Sequence, residues 1–141
     1  MAITLKRVYE AASPADGIRV LVDRLWPRGL RKEEAAVKYW LRDVAPSTEL
    51  RQWFHANPEA WEEFRERYVK ELSGEKETTA LEKLHSLAEA NRKLTLLYAS
   101  RNEEQNNATV LKELLEGVRK PPSRVGRGAV GQERIRKARR P

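Results

Sequence analysis

The sequence predicts an α/β domain in which helices flank a small, mostly parallel sheet. Two stretches of strand length are typical of strands buried on both faces. One is Ile18 to Arg24, which is mostly apolar from Ile18 to Val22, and the other is Lys93 to Ala99. Amphipathic stretches between them have helical spacing. After Gly117 the chain becomes rich in Gly and Arg and lacks the apolar spacing of a core. We therefore predict one compact domain over residues 1–117 and a basic, flexible tail over residues 118–141.

Turn residues separate the first two predicted strands. Ile3 to Tyr9 alternates apolar and polar residues, which predicts a strand suited to a sheet edge. Pro14 and the Asp16-Gly17 pair then predict a tight bend before the strand at Ile18 to Arg24. The next segment, residues 30–44, fits both helical and strand spacing, and we favour short helical turns there.

Three helices are predicted in the middle of the chain. Ser47 is a good N-cap for the first. For the second, Asn57 would be the cap and Pro58 the first helical residue, with Gly74 near its end. A third covers the leucines around residues 81–88. The apolar stripe of the second helix predicts core packing rather than a stacking surface and consists of Trp61, Phe64, Tyr68 and Leu72.

A strand followed by a loop and a helix forms the end of the predicted domain. The strand is Lys93 to Ala99, and Asn102 is the expected cap of the helix, with Gln105 reaching back to complete a capping box. Two glutamates at residues 103 and 104 would then occupy the positive end of the helix and disfavour a bare phosphate there. Gly117 is the expected stop.

Charge and composition narrow the possible functions. Residues 118–141 hold nine Lys or Arg and one acid, a net charge of +8, so the remaining residues carry −1 of the chain's +7. The chain has no cysteine and only two histidines, far apart, which disfavours thiolate chemistry, a zinc centre and any other metal site. We predict no cofactor. No run is apolar enough for a membrane span, so we expect no membrane partner and a cytoplasmic location.

A cluster of charged residues at the end of the second strand is the first candidate site. Asp23, Arg24 and Arg28 surround a rigid Trp-Pro pair, where ligands of parallel sheets usually bind. Two guanidinium groups suit a carboxylate or phosphate, and Asp23 could orient a ligand or accept a proton. The alternative is that Asp23 pairs with an arginine and the tryptophan fills the core.

A second cluster follows the other apolar strand. If the two strands are parallel neighbours, Asp23 and Arg24 face this cluster across a small-ligand crevice. It consists of Ser100, Arg101, Asn102 and Asn106. Arg51 and His55 lie four residues apart on one helix face and could point into the same crevice. The alternative to a ligand-binding role for Asn102 is that it only caps the following helix.

Two functions fit these patterns, one for the domain and one for the tail. We favour a protein that binds a small anionic or nucleotide-like ligand at the strand ends. If it is an enzyme, Asp23 or His55 would transfer the proton and the arginines would hold the anion. The alternative is non-specific nucleic-acid binding through the basic tail. An interaction module without a pocket ligand would instead show an exposed apolar patch. The oligomeric state stays open.

Three segments carry a resemblance to a known family. They are R-V-L-V-D-R-L-W-P-R-G, D-V-A-P-S-T-E-L-R-Q-W-F-H and L-T-L-L-Y-A-S-R-N-E-E-Q-N-N-A. Over Lys6 to Leu115 the chain resembles the YeaO-like group of the domain of unknown function family 488, which implies a compact α/β domain. Larger relatives in that family have a Cys-His-Arg-like motif where this chain has Gln105, Asn106 and Asn107, so the resemblance implies that any thiol chemistry is absent here.

Overall fold

The computed structural model describes residues 2–117, and the predicted tail lies outside them. Within this range the chain forms strands β1 (Ala2–Arg7), β2 (Ile18–Leu21), β3 (Tyr39–Trp40) and β4 (Lys93–Tyr98). Its helices are α1 (Lys32–Ala35), α2 (Thr48–Ala56), α3 (Trp61–Glu71), α4 (Glu75–Ala90) and α5 (Asn107–Glu116). Short 3-10 turns lie at Pro14–Asp16 and Arg42–Val44.

The four described strands form one parallel sheet in the order β1-β4-β2-β3. This confirms the predicted α/β class, and it places the two long apolar strands side by side, with Ile18 opposite Leu94 and Leu21 opposite Leu97. Strand β1 lies at an edge, as its alternating pattern predicted. Because β1, β2 and β4 run in the same direction, the loops that follow them meet at one end of the sheet.

Apolar side chains are buried on both faces of the sheet. On one face Val20, Leu94 and Leu96 pack against helices α2 to α5, and these three side chains are fully buried. On the other face Leu21 and Leu97 pack against α1 and the segment around Trp26. Burial of successive residues on opposite faces explains why these strands are nearly continuous apolar runs.

A polar group, which we call the Asp16 cluster, lies before the amino end of β2. Arg19 is only 4% exposed and donates from Nη1 to Asp16 at 2.5 Å and from Nη2 to the Ala35 carbonyl at 2.8 Å. Lys6 Nζ lies 3.1 Å from both oxygens of Asp16. Burial opposes ionisation of Asp16, but the Ser13 N–H and the two cations outweigh it and lower its pKa. Asp16 therefore supplies a negative charge beside the buried guanidinium of Arg19.

The helical layer is fastened to the loop before α2 by buried hydrogen bonds. Tyr68 on α3 is fully buried and donates its hydroxyl to the Val44 carbonyl, and burial raises its pKa well above the usual value. Ser47 caps α2 as predicted, accepting from Leu50 N at 3.1 Å, and donates its own hydroxyl to Glu71 at 2.6 Å. The aromatic stripe of α3 is core, as expected. These bonds hold α2 beside the strand ends.

Three element predictions need correction. Residues 30–44 do contain helical turns, but Tyr39–Trp40 is a strand that pairs with β2, because Val20 and Leu21 offer it a free parallel edge. The helix expected to begin at Pro58, with Asn57 as its cap, begins instead at Trp61. Asn57 closes the preceding helix, since its side-chain amide donates to the Trp53 carbonyl at 2.8 Å. Strand β2 also ends at Leu21, three residues before Arg24.

None of the described helices is both long and apolar enough to cross a bilayer. The longest of them, α4, carries charged side chains along its length and covers one face of the sheet.

Candidate functional site

A cleft of about 880 Å³ opens at the carboxyl ends of β1, β2 and β4. Its volume lies within the range of roughly 300–1,000 Å³ that is usual for small-ligand sites. The loops after these strands and helix α2 supply its walls. All nine residues predicted for the site line this one cleft: Asp23, Arg24, Arg28, Arg51, His55, Ser100, Arg101, Asn102 and Asn106.

Asp23 is the acidic residue among the lining groups and is held by hydrogen bonds on both carboxylate oxygens. Its Oδ2 accepts from the Ala99 N–H at 2.9 Å, and its Oδ1 accepts from the Asn107 side chain at 3.1 Å. Burial raises its pKa, although these two donors and the nearby charge of Arg51 act in the opposite direction. Asp23 therefore bonds to the neighbouring strand end and to α5, not to Arg24 or Arg28.

Asn107 was not among the predicted site residues, although it lines the cleft. Its Nδ2 donates to the Val22 carbonyl at 2.9 Å as well as to Asp23, so the first residue of α5 is joined to the end of β2. The sequence carried only a weak signal for a site role of Asn107. It follows two other polar residues, Gln105 and Asn106, and no capping role was predicted for Asn107 itself. Its actual partners lie 84 and 85 residues away.

Arg24 also lines the cleft, but its guanidinium is engaged by the protein itself. Nη2 donates to the Ala45 carbonyl at 3.0 Å and Nε to the Pro46 carbonyl at 3.2 Å. These bonds attach the loop after β2 to the segment that leads into α2. We expected Arg24 to hold a ligand, and the observed contacts indicate that its first role is to shape the wall.

Arg28, Arg51 and Arg101 differ from Arg24 because they are exposed. Within residues 2–117, no hydrogen bond or ion pair engages any of their three guanidinium groups. Arg51 is close enough to Asp23 to lower the pKa of that carboxyl. The cleft thus presents three uncommitted cations, one from the loop after β2, one from α2 and one from the loop after β4.

The loop after β4 is a series of turns and not the start of a helix. Asn102 Oδ1 accepts from the N–H groups of Glu104 and Gln105, both at 2.9 Å, but α5 begins only at Asn107. The helix cap is Asn106, whose Oδ1 accepts from Thr109 N at 3.0 Å. The predicted capping box at residue 102 is therefore wrong.

The later start of α5 changes the charge at its amino end. Its first turn contains no acidic residue, so the expected glutamates do not occupy the positive end of the helix. Arg7, at the end of β1, stabilises the loop after β4. It donates from Nε to the Ser100 carbonyl and from Nη2 to the Ala99 carbonyl, each at 2.9 Å. The objection that the two glutamates raised to an anion in this cleft is thereby removed.

The arrangement contains no recognisable pair of nucleophile and base. Ser100 Oγ accepts from Asn102 N at 3.2 Å, and no hydrogen bond joins it to a histidine in the described part of the chain. His55 lies exposed at the last turn of α2. No group of three potential metal-ligating side chains occurs within residues 2–117.

Comparison with known proteins supports the resemblance. A family model described as "Inactive DUF488-N3 subclade" matches residues 2–123. The chain is 42% identical over 118 residues to "Uncharacterized protein YeaO" of Escherichia coli (strain K12), covering 84% of this chain and 100% of that protein. It is 44% identical over 115 residues to "Uncharacterized protein Rv3073c" of Mycobacterium tuberculosis (strain H37Rv), covering 82% and 94%. No solved structure gave a significant match.

Proposed function

This chain belongs to the YeaO-like group of the DUF488 family, and we propose that its cleft binds a small anionic or nucleotide-like ligand. The matched subclade is described as inactive, which favours binding over turnover. The larger relatives' Cys-His-Arg-like motif is also replaced here by Gln105, Asn106 and Asn107. If a proton is transferred in the cleft, Asp23 and His55 are the candidates.

The observation that supports this proposal is the imbalance of charge in the cleft. Arg28, Arg51 and Arg101 have no hydrogen-bond or ion-pair partner within residues 2–117, and the lining includes one carboxylate, that of Asp23. Guanidinium groups bind phosphate and carboxylate through two parallel hydrogen bonds. A ligand anion would supply the acceptors that these side chains lack.

Asp23, a half-buried residue of the cleft lining, would complement this binding as a hydrogen-bond acceptor. Each of its oxygens accepts one protein hydrogen bond and keeps capacity for another. A ligand with a hydroxyl or amino group near its anion could donate to it. The same carboxylate would repel an anion bound directly against it, so we expect the anion of the ligand to lie against the exposed guanidinium groups of Arg51 and Arg101.

Replacing Arg51 and Arg101 by glutamine should weaken binding of ribose 5-phosphate by the full-length protein. We expect about tenfold for each substitution and about a hundredfold for the double variant, since a hydrogen bond to a charged group contributes roughly 1.5–3 kcal/mol. Isothermal titration calorimetry measures this at low ionic strength, because exposed charges are screened by salt.

Arg31→Gln is the matched control, because Arg31 is an exposed arginine outside the cleft, 3.8 Å from Glu34. It should leave the affinity unchanged. An affinity of the double variant within about twofold of wild type would contradict the proposal. Loss of affinity in the control as well would mean that net charge and not the cleft is responsible.

A second candidate function is nucleic-acid binding through the tail, and the net charge of +8 on residues 118–141 favours it. Deleting these residues should then abolish salt-dependent binding of DNA or RNA, measured by fluorescence anisotropy. The shortened chain should end at Gly117, because α5 ends at Glu116 and Gly117 caps it in the left-handed conformation. Equal binding by the full and shortened chains would exclude the tail.

A further inference from the structure

Tyr9, just after β1, makes two side-chain contacts at the cleft. Its hydroxyl donates to the Arg28 carbonyl at 3.0 Å, and the Arg7 guanidinium lies 5.1 Å from its ring centroid. Arg7 is itself fixed by the Ala99 and Ser100 carbonyls. The ring is thus attached to the segments that follow β1, β2 and β4. Because its orientation is already fixed, a group that stacks on it needs to order little of the protein.

Tyr9 is also unusual in its exposure. Among the described residues, the large hydrophobic side chains classed as exposed are Tyr9, at 42%, and Leu25, at 63%. Both of them line the cleft. Apolar surface that stays in water is costly, and exposed apolar groups beside a polar site often mark a ligand surface. Here the apolar surface and the uncommitted arginines border the same opening.

We propose that the ligand is a nucleotide whose base stacks on Tyr9 while its phosphate is bound by the arginines of the cleft. This rests on the proposed anion-binding function and specifies the ligand class. The hydrogen bond from the Tyr9 hydroxyl reaches the main chain of Arg28, whose exposed side chain lines the same cleft. A flat ring with an anion attached is the chemistry that matches a fixed aromatic face next to uncommitted cations.

The test compares AMP with ribose 5-phosphate on the full-length protein by isothermal titration calorimetry. The two probes share a sugar and a phosphate, and only AMP has a base. We expect AMP to bind about tenfold more tightly, which corresponds to about 1.4 kcal/mol. In Tyr9→Leu this advantage should disappear while the affinity for ribose 5-phosphate stays within about twofold, because stacking needs the ring and phosphate binding does not.

Tyr9→Phe is the matched variant, since it keeps the ring and removes only the hydroxyl, and it should retain the preference for AMP. Equal affinities of wild type for the two probes would overturn the nucleotide proposal and leave anion binding intact. A preference for AMP that persists in Tyr9→Leu would do the same. Equal affinities are also the result expected if the exposed side chains of Tyr9 and Leu25 serve to contact a protein partner and not a base. If neither probe binds wild type, the anion-binding function fails together with the nucleotide.

Discussion

Asp16→Asn should destabilise the domain by about 3 kcal/mol at neutral pH, because it leaves the buried charge of Arg19 without its counter-ion. Arg19 is 4% exposed, and its Nη1 lies 2.5 Å from Asp16. The substitution also removes most of the electrostatic attraction between residue 16 and Lys6, whose Nζ lies 3.1 Å from each carboxylate oxygen of Asp16. Urea unfolding followed by circular dichroism measures the loss.

The pH dependence of this effect has a definite sign. The pKa of Asp16 is lowered from its usual value near 3.8, so its contribution is fully present above that value and is lost as the pH falls through the folded-state pKa. The difference between wild type and Asp16→Asn should therefore shrink below about pH 4. A difference that does not change between pH 7 and pH 3 would contradict this account.

Glu34→Gln is the matched control for Asp16→Asn. It removes the acid of another i, i+3 pair with arginine, Arg31 and Glu34, but both side chains are more than half exposed and 3.8 Å apart. Such a pair contributes roughly 0–1 kcal/mol. Both variants should bind ribose 5-phosphate like wild type, because neither residue lines the cleft.

Asn107→Ala should cost about 3 kcal/mol of stability at neutral pH. It removes the donor that serves the Val22 carbonyl at 2.9 Å and Asp23 Oδ1 at 3.1 Å, and an acceptor left unsatisfied in a partly buried place costs roughly 1–3 kcal/mol. It also detaches the start of α5 from the end of β2. Chemical unfolding at pH 8 and at pH 4 measures the effect.

The cost of Asn107→Ala should be larger at the higher pH. Burial raises the pKa of Asp23, so ionising this carboxyl lowers stability as the pH rises from about 3.8 through the folded-state pKa. Removing the Asn107 donor raises that pKa further and enlarges the loss. Asn91→Ala is the control, because Asn91 donates to the Leu87 carbonyl alone, at 2.8 Å, and its loss should be about 1 kcal/mol at both values. Equal losses in the two variants would contradict the role of Asn107.

The general fold could be predicted because its main strands carry strong local signals. The runs at Ile18 and Lys93 are apolar on successive residues, as burial on both faces requires, and they do pair in parallel. The short strand Tyr39–Trp40 could not be predicted in this way. Two residues are too few to show a period, and what defines this strand is the free edge of β2.

The sequence could predict which residues meet at the candidate cleft, but not which of them are engaged by the protein itself. Residues at the ends of parallel strands meet by topology alone, which is why nine predicted residues line one cleft. Whether an arginine is engaged depends on distant backbone. Arg24 is bound by carbonyls that the loop before α2 brings to it, whereas Arg28 meets no such acceptor in the described residues.

The helix caps show the same limit. Ser47 and Asn102 both look like N-caps from their neighbours, yet only Ser47 begins a helix. The four residues after Asn102 form turns instead. The Asn107 side chain, at the start of α5, bonds to Val22 and Asp23 at the end of β2. Local capping preference is a small energy, and such tertiary bonds can override it.

The strand order determines when this protein can fold during synthesis. Strand β4 is the last of the described strands to be made, yet it lies between β1 and β2 and bonds to both. A nascent chain that lacks residues 93–98 therefore has no surface on which β1 can pair with β2. We therefore expect the sheet to form only after residues 93–98 have left the ribosome, because non-local strand pairing must wait for its central strand.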